Sequence, residues 1–334
     1  MKPQPPIAPR TERGVVLGVD VGGTKIAVGP VDRAGVRPAA PLVDPTQTED
    51  AGSFLAGLEA TLRRALEEFS PFGPRAIGLA CAGTVDVGRG VVVASPNLPL
   101  VEVPVAGAVR EALGIPVTLE NDANAAVLGE AVAGAATGLR QVVMLTLGTG
   151  VGGGLLLDGR IYHGAHGAAG ELGHMVVEKD GLRCHCGGRG CLEMYTSGPA
   201  LARYGAARSG DSQQDPDGAL RDLERRGALT GEAVGRLARR GHPGALAAVR
   251  ELADWLAVGL VSITNAFDPE MIVVGGGVVG LGETLLAPAR DQVRESAMAP
   301  GKDRVQIAAA RLGNTAGMIG AALVAWEALG HGGA

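Results

Sequence analysis

The sequence predicts a mixed α/β protein built as two related domains. Gly14–Gly29 reads as strand, tight glycine turn and strand, and Val142–Leu157 repeats that pattern about 130 residues later. Each unit opens a block in which strands alternate with helices. The length of 334 residues agrees, since it suggests about two domains.

Composition narrows the class. With 46% apolar and 19% charged residues, the chain is rich enough in core formers to fold. Aromatics are only 3%, so the core must come from Ala, Val, Leu and Ile. The 54 glycines follow no G-X-Y period, which excludes collagen and places them in turns, in tight packing or against a ligand. A net charge of −5 argues against a dedicated nucleic-acid binder or a polybasic membrane protein. No apolar run is long enough to span a membrane. The first thirteen residues, MKPQPPIAPRTER, are Pro-rich and lack the apolar stretch of a secretory signal, so they read as a disordered tail. Three of the four cysteines crowd into Cys184–Cys191, which suggests a metal in a reducing, cytoplasmic compartment.

The elements follow in order. Ala51, Phe54, Leu55, Leu58, Leu62, Ala65, Leu66 and Phe69 recur at helical spacing, predicting an amphipathic helix over 49–69. Strands are expected at Ala76–Ala82 and Pro116–Leu119. A short helix at Ala106–Leu113 should stop at Gly114, and another should start near Asp122. In the second half, Val142–Leu147 and Leu155–Leu157 are strands around a glycine turn at Gly148–Gly154. The polar stretch 204–219 is expected as a surface loop, and 245–267 as a long helix. Met271–Val274 should be a buried strand ending in Gly275, Gly276 and Gly277, with helices at 282–297 and 315–329.

The glycine loops suggest phosphate chemistry. Gly148-Thr149-Gly150-Val151-Gly152-Gly153 matches GxGxxG, and Glu171 lies about 20 residues on. A dinucleotide site needs a helix directly after the glycines, whereas here they run into Leu155-Leu156-Leu157-Asp158-Gly159. What remains is a β-turn-β whose N–H groups can cradle an anion. The first unit adds Asp20 before Gly22-Gly23-Thr24-Lys25. Its carboxylate suits a Mg²⁺ shell, its glycines admit a phosphate, and Thr24 and Lys25 supply donors.

Asn121 and Asp122 fall where a strand ends and a helix starts. Either could cap the helix. Alternatively Asp122 is a general base for a substrate hydroxyl and Asn121 a partner for a sugar hydroxyl, the two roles being divided between neighbours. His174, Cys184, Cys186 and Cys191 fit a closed tetrahedral Zn²⁺ site, structural rather than catalytic, with His185 as a competing ligand. The alternatives are free buried thiols, or a nucleic-acid zinc module, for which paired CxxC knuckles and a basic surface are missing. Such a clamp would hold Glu171 and Glu193, two acceptors for sugar hydroxyls.

DxGGTK at Asp20–Lys25, LENDANAA at Leu119–Ala126, LGTGVGGG at Leu147–Gly154, and ELGH followed by CxCGxxGCxE at Glu171–Glu193 together resemble the ROK family of repressors, open reading frames and sugar kinases. The resemblance spans roughly residues 14–330 and is strongest to the family's bacterial ATP-dependent glucokinases. It implies a two-lobed actin-like, ribonuclease H-like ATPase fold: 14–120 as an N-terminal lobe to which helix 315–330 returns, and 121–314 as a larger lobe carrying the zinc loop. It implies that Asp122 is the base for the 6-hydroxyl of glucose. Asn97, Asn121, Glu171, His174 and Glu193 would hold the sugar, with one ring nitrogen of His174 on zinc. Asp20 would act on Mg²⁺, and residues 22–25, 148–153 and 275–277 would meet ATP. A homodimer or homotetramer is expected by analogy. Where glucokinase-like members often continue Asn-Leu-Pro with Gly-Trp, this chain has Leu100-Val101, which leaves N-acetylglucosamine or N-acetylmannosamine as the alternative substrate. A repressor is not expected, because thirteen residues ahead of Gly14 are too few for a helix-turn-helix domain. A sensor without activity would lack the base or the phosphate loops, and both are present.

Overall fold

The computed structural model describes residues 14–331, so the tail expected over 1–13 lies outside the described residues. The chain forms two compact units. One comprises residues up to Arg140, Gly154–Ala169 and the segment from Arg311 on; the other comprises Gln141–Gly153 and Gly170–Ala310.

In chain order the first unit contains β1 (Val15–Val21), β2 (Lys25–Val31), β3 (Leu42–Pro45), α1 (Ala51–Glu68), β4 (Pro74–Cys81), β5 (Thr84–Asp86), β6 (Val91–Ala94), β7 (Val101–Val103), α2 (Val105–Leu113), β8 (Val117–Asn121) and α3 (Asp122–Ala133). Then come β9 (Val142–Leu147), β10 (Val151–Leu157), β11 (Arg160–Ile161), α4 (Glu193–Thr196), α5 (Gly198–Ala206), α6 (Ala219–Arg225), α7 (Gly231–Arg239), α8 (Pro243–Phe267), β12 (Met271–Gly275), α9 (Glu283–Ser296), α10 (Gly301–Arg304), β13 (Gln306–Ala309) and α11 (Ala316–His331).

The first sheet has the order β3-β2-β1-β4-β8. β2 runs antiparallel to β1, while β4 and β8 continue the sheet in parallel. The strand alternation of period two sorts its faces. Leu17, Val19, Val21, Ile77, Leu79, Val117 and Leu119 join Phe54, Leu58 and Leu62 of α1 and Val109 of α2 in one core. Gly18, Gly78 and Ala80 face α11 instead. Here backbone meets backbone. A Cβ on Gly18 would lie 2.0 Å from the Met318 carbonyl oxygen, and one on Gly78 1.9 Å from that of Ala321. On the other side of α11, a Cβ on Gly320 would lie 1.6 Å from the Ala125 oxygen of α3. Small residues thus replace the missing aromatics.

This packing moves the boundary expected at 120/121. α3 packs on α11, which also covers β1 and β4, so α3 belongs to the first unit and the chain leaves that unit after Arg140.

The second sheet has the order β11-β10-β9-β12-β13, with β9, β12 and β13 parallel. β10 starts at Val151, so the glycine turn is Gly148–Gly150, and Gly152, Gly153 and Gly154 are strand residues rather than the turn expected over 148–154. The loop expected at 204–219 is present over 207–218, where most residues are exposed or half-buried. The ends of the expected range are helical, and Asp215 in its middle is 4% exposed. That carboxylate accepts the N–H groups of Gly210, Leu220 and Arg221 and lies 3.3 Å from Nε2 of His242. Burial opposes the Asp215 charge, but those donors outweigh it and hold the carboxyl below its ordinary range. His242 in turn caps α8 through Ala245. Within this exposed loop the one carboxylate of Asp215 is a buried staple, which sequence polarity alone cannot distinguish from solvation.

Two glycine substitutions separate packing from propensity. Gly320→Ala must move α11 or α3 and is expected to cost at least about 3 kcal/mol. Gly107→Ala, at an exposed position of α2, is expected to gain about 0.5–1 kcal/mol from helix propensity. Melting temperatures of the two variants, falling in the first and rising slightly in the second, check this.

Candidate active site

In the first unit, three parallel strands deliver polar groups to one edge. β1 ends near Asp20, β4 at Cys81 and β8 at Asn121. Asp20, Ala80 and Glu120 stand in register across the three strands, so Asp20 and Glu120 share the face that Gly18 and Gly78 open. The carboxyl ends of parallel strands are where open α/β sheets bind ligands.

Asp20 is poorly compensated. Burial first, and then the charge of Asp122, push its carboxyl up to about 6, against an opposing pull from Lys25. Gly317 at the start of α11 leaves it room; a Cβ there would lie 3.4 Å from the carboxyl. A carboxylate that resists ionising in isolation suits a site completed by a cation. The same two carboxylates, after burial, push the Cys81 thiol up to about 12 and keep it protonated.

The β1–β2 turn is closed by Gly22 N–H donating to Lys25 O at 3.0 Å. Thr46 ties down its carbonyls: its hydroxyl donates to Gly22 O at 2.7 Å, and its N–H to Thr24 O at 3.1 Å. Thr24 and Lys25 are exposed. Asn97 lies beside this turn, since a Cβ on Gly23 would come within 3.0 Å of it. The two residues that depart from the expected Gly-Trp separate: Leu100 is fully buried in the core and Val101 is exposed on β7.

At the β8–α3 junction the labour is divided. Asn121 is the N-cap; its Oδ1 accepts the N–H groups of Ala123 and Asn124, and its Nδ2 donates to Gly83 O at 3.0 Å. Asp122 is the first helical residue, with one oxygen 2.9 Å from the Ala123 N–H. The cap is therefore Asn121, and its amide is largely committed to the fold. The sequence reading missed Glu120 and His163. Glu120 is 1% exposed, and Nε2 of His163 lies 2.7 Å from its Oε2. A charged residue one step before the end of a buried strand was the available signal.

In the second unit, β9 leads into Gly148-Thr149-Gly150, where Gly148 N–H donates to Gly150 O and Gly198 N–H to Gly148 O. Val151 N–H donates to Oε2 of Glu193 at 2.9 Å, so the turn positions that carboxylate. A Cβ on Gly150 would lie 2.6 Å from the same oxygen, so a larger residue there would push the Glu193 carboxylate from its place. Gly275 ends β12. Gly276 has φ of 84° and sits where a Cβ would meet Leu147 O at 2.3 Å, while Gly277 has no neighbour within 4 Å.

Leu172–His174 form a single 3₁₀ turn pressed onto β10, with a Cβ on Gly173 excluded by Val151 O at 2.0 Å. His174 Nδ1 lies 3.6 Å from Cys184 Sγ, and Cys186 Sγ lies 3.7 Å from Cys191 Sγ. One ligand atom from each of these four residues falls within 4.8 Å of all the others, and His185 is not in that group. A tetrahedral Zn²⁺ with the usual Zn–S and Zn–N bonds requires S···S of about 3.8 Å and S···N of about 3.6 Å. The donor set and its spacing fit that ion. The other ring nitrogen, Nε2, faces Glu171 at 3.9 Å.

The ROK family model matches residues 16–328. A glucokinase from Streptomyces coelicolor is 37% identical over 318 residues, covering 94% of this chain and 98% of that protein. Among solved structures, a ROK family glucokinase from Streptomyces griseus in complex with glucose and AMPPNP has a TM-score of 0.80 at 37% identity, over 94% of this chain and 100% of that one. A ROK hexokinase from Thermus thermophilus has a TM-score of 0.77 at 36% identity, over 95% and 99% of the two chains. The glycine turns, the Asn121–Asp122 junction and the Cys/His loop thus sit within a likeness that runs nearly end to end, and the chain belongs to the ROK family.

Proposed function

We propose that the protein is a glucokinase of the two-lobed actin-like type, transferring the γ-phosphoryl group of ATP to the 6-hydroxyl of glucose to give glucose 6-phosphate and ADP. The observation that carries this reading is the division at the head of α3. Asn121 caps the helix, and Asp122, its first residue, carries a carboxylate at the carboxyl ends of the parallel strands. The likeness to glucokinases that extends over nearly the whole chain supports the substrate.

In this mechanism Asp122 orients the sugar hydroxyl and takes its proton as the oxygen attacks phosphorus. The Asp20 carboxylate and the turn donors Thr24 and Lys25 serve the phosphates, and the Gly148–Gly150 turn and Gly276–Gly277 serve the nucleotide. Asp20 would hold Mg²⁺, which neutralises phosphate charge when bound. Asn97, Glu171, His174 and Glu193 hold the sugar, and His174, Cys184, Cys186 and Cys191 would hold a structural Zn²⁺ that fixes the Glu171 and Glu193 segments.

A coupled ADP-release assay across glucose, mannose, fructose and the two N-acetyl sugars tests the reading. Glucose-dependent turnover is expected, with kcat falling by about a hundredfold or more in Asp122→Asn. Turnover confined to an N-acetyl sugar would move the substrate, and none with any sugar would overturn the kinase reading. Asp20→Asn is expected to remove turnover while stabilising the protein in Mg²⁺-free buffer. The folded carboxyl titrates at about 6, against an ordinary value of 3.8. Between those values the folded chain keeps a proton that the unfolded chain has lost, so stability falls as pH rises through the window. At pH 7.5 the variant should gain up to about 3 kcal/mol, and at pH 3.5 almost nothing, as read from melting curves. Elemental analysis should find about one zinc per chain in the wild type and a loss in Cys184→Ser.

A further inference from the structure

We propose that the Glu120–His163 pair is the device that positions Asp122, so that both residues act on phosphoryl transfer through the base. This rests on the kinase reading above and extends it.

The argument starts from the hydrogen bonds of Glu120. Its Oε1 accepts the N–H of Asn121 at 2.9 Å and Nδ2 of Asn124 at 3.2 Å. Its Oε2 takes the ring of His163 at 2.7 Å. One buried carboxylate thereby grips the residue before Asp122 and the residue two after it, and its own orientation is set from a segment 43 residues away. The cap does not need it, because Asn121 already satisfies the N–H groups of Ala123 and Asn124.

A buried carboxylate is a poor choice for stability alone. Removing it from water costs several kcal/mol, and an apolar residue of similar size often serves as well. Here it also stands in the same row as Asp20, with only Ala80 between them. A second negative group at that edge raises the electrostatic cost, and the His163 ring is the group that offsets it. The Glu120 hydrogen bond accordingly raises the pKa of His163, with burial opposing.

His163 is held in turn. Its carbonyl accepts the Ala169 N–H at 3.0 Å, and Gly164, at φ of 72°, packs against Ala169. Gly167 lies near Val85 O, where a Cβ would sit 3.5 Å away. The segment 163–169 is therefore a folded loop, and Glu171 follows two residues after its end. His163 ties the loop that leads to a proposed sugar ligand to the carboxylate that brackets the proposed base.

His163→Ala and His163→Gln test this, the glutamine amide being able to donate where the ring did. The readouts are kcat, KM for glucose and for ATP, melting temperature, and hydrogen exchange at the two amides that Glu120 holds, the backbone N–H of Asn121 and the side-chain amide of Asn124. In His163→Ala, kcat is expected to fall by about tenfold or more with KM for ATP changed less than about twofold, and exchange at the two amides to rise; His163→Gln should regain most of both. Wild-type kcat in His163→Ala would overturn the proposal. So would a joint loss of kcat, ATP affinity and melting temperature that glutamine does not restore, which is the pattern of a scaffold residue. If the wild type phosphorylates no sugar, the kinase reading fails by itself. The exchange data then decide the positioning claim: higher exchange in the alanine variant alone supports it, and unchanged exchange overturns it.

Discussion

A Cβ on Gly320 would lie 1.6 Å from a carbonyl oxygen of α3, and Cβ atoms on Gly18 and Gly78 would lie 2.0 and 1.9 Å from carbonyl oxygens of α11. Backbone packed directly on backbone is the constraint on which the first unit rests. It explains the glycines at 18, 78 and 320, since no side chain fits at those three contacts. It also places the chemistry. With α11 lying so close, the polar residues on that face of β1 and β8 come to lie at the strand ends, where Gly317 leaves room beside Asp20. The second unit applies the same device locally, with Gly173 against Val151 and Gly276 against Leu147.

That placement concentrates negative charge. Asp20, Glu120 and Asp122 belong to the ends of two strands and one helix of a single sheet, and each is handled differently. Asp122 sits at the first position of α3, where the helix N-terminus favours a carboxylate. Glu120 is enclosed by an amide, a backbone N–H and the His163 ring. Asp20 has only the pull of Lys25 against burial and a like charge, and its carboxyl shifts upward as a result. A bound cation would reverse that shift.

Much of this was legible in the sequence because it depends on local pattern. Strand–glycine turn–strand units, the helix over Ala51–Glu68, the stop at Gly114 and the Cys/His spacing are set within a few residues. The junction at Asn121–Asp122 was also legible, though which residue caps was settled only by the hydrogen bonds. What escaped depends on distant pairing. Nothing near Glu120 announces His163, and nothing near α3 announces α11, so both the positioning pair and the unit boundary were hidden. Asp215 escaped for another reason. A carboxylate that binds three backbone N–H groups in a buried turn has the same local sequence as one in water.

The Cys/His loop shows how a structural ion would control a ligand contact from one step away. His174 turns Nδ1 toward Cys184 and Nε2 toward Glu171. With Nδ1 coordinated, the proton of the neutral ring must sit on Nε2, so the ring becomes a donor on the side facing Glu171. Glu171 is exposed there and only accepts, and Glu193, held by the Val151 N–H, also accepts. A sugar hydroxyl both donates and accepts, so one placed among these groups meets complementary partners only in that tautomer. In the proposed reading, zinc contributes no chemistry to the transfer. It would decide which way one imidazole presents its proton, and the glycine turn before Val151 places the opposing carboxylate.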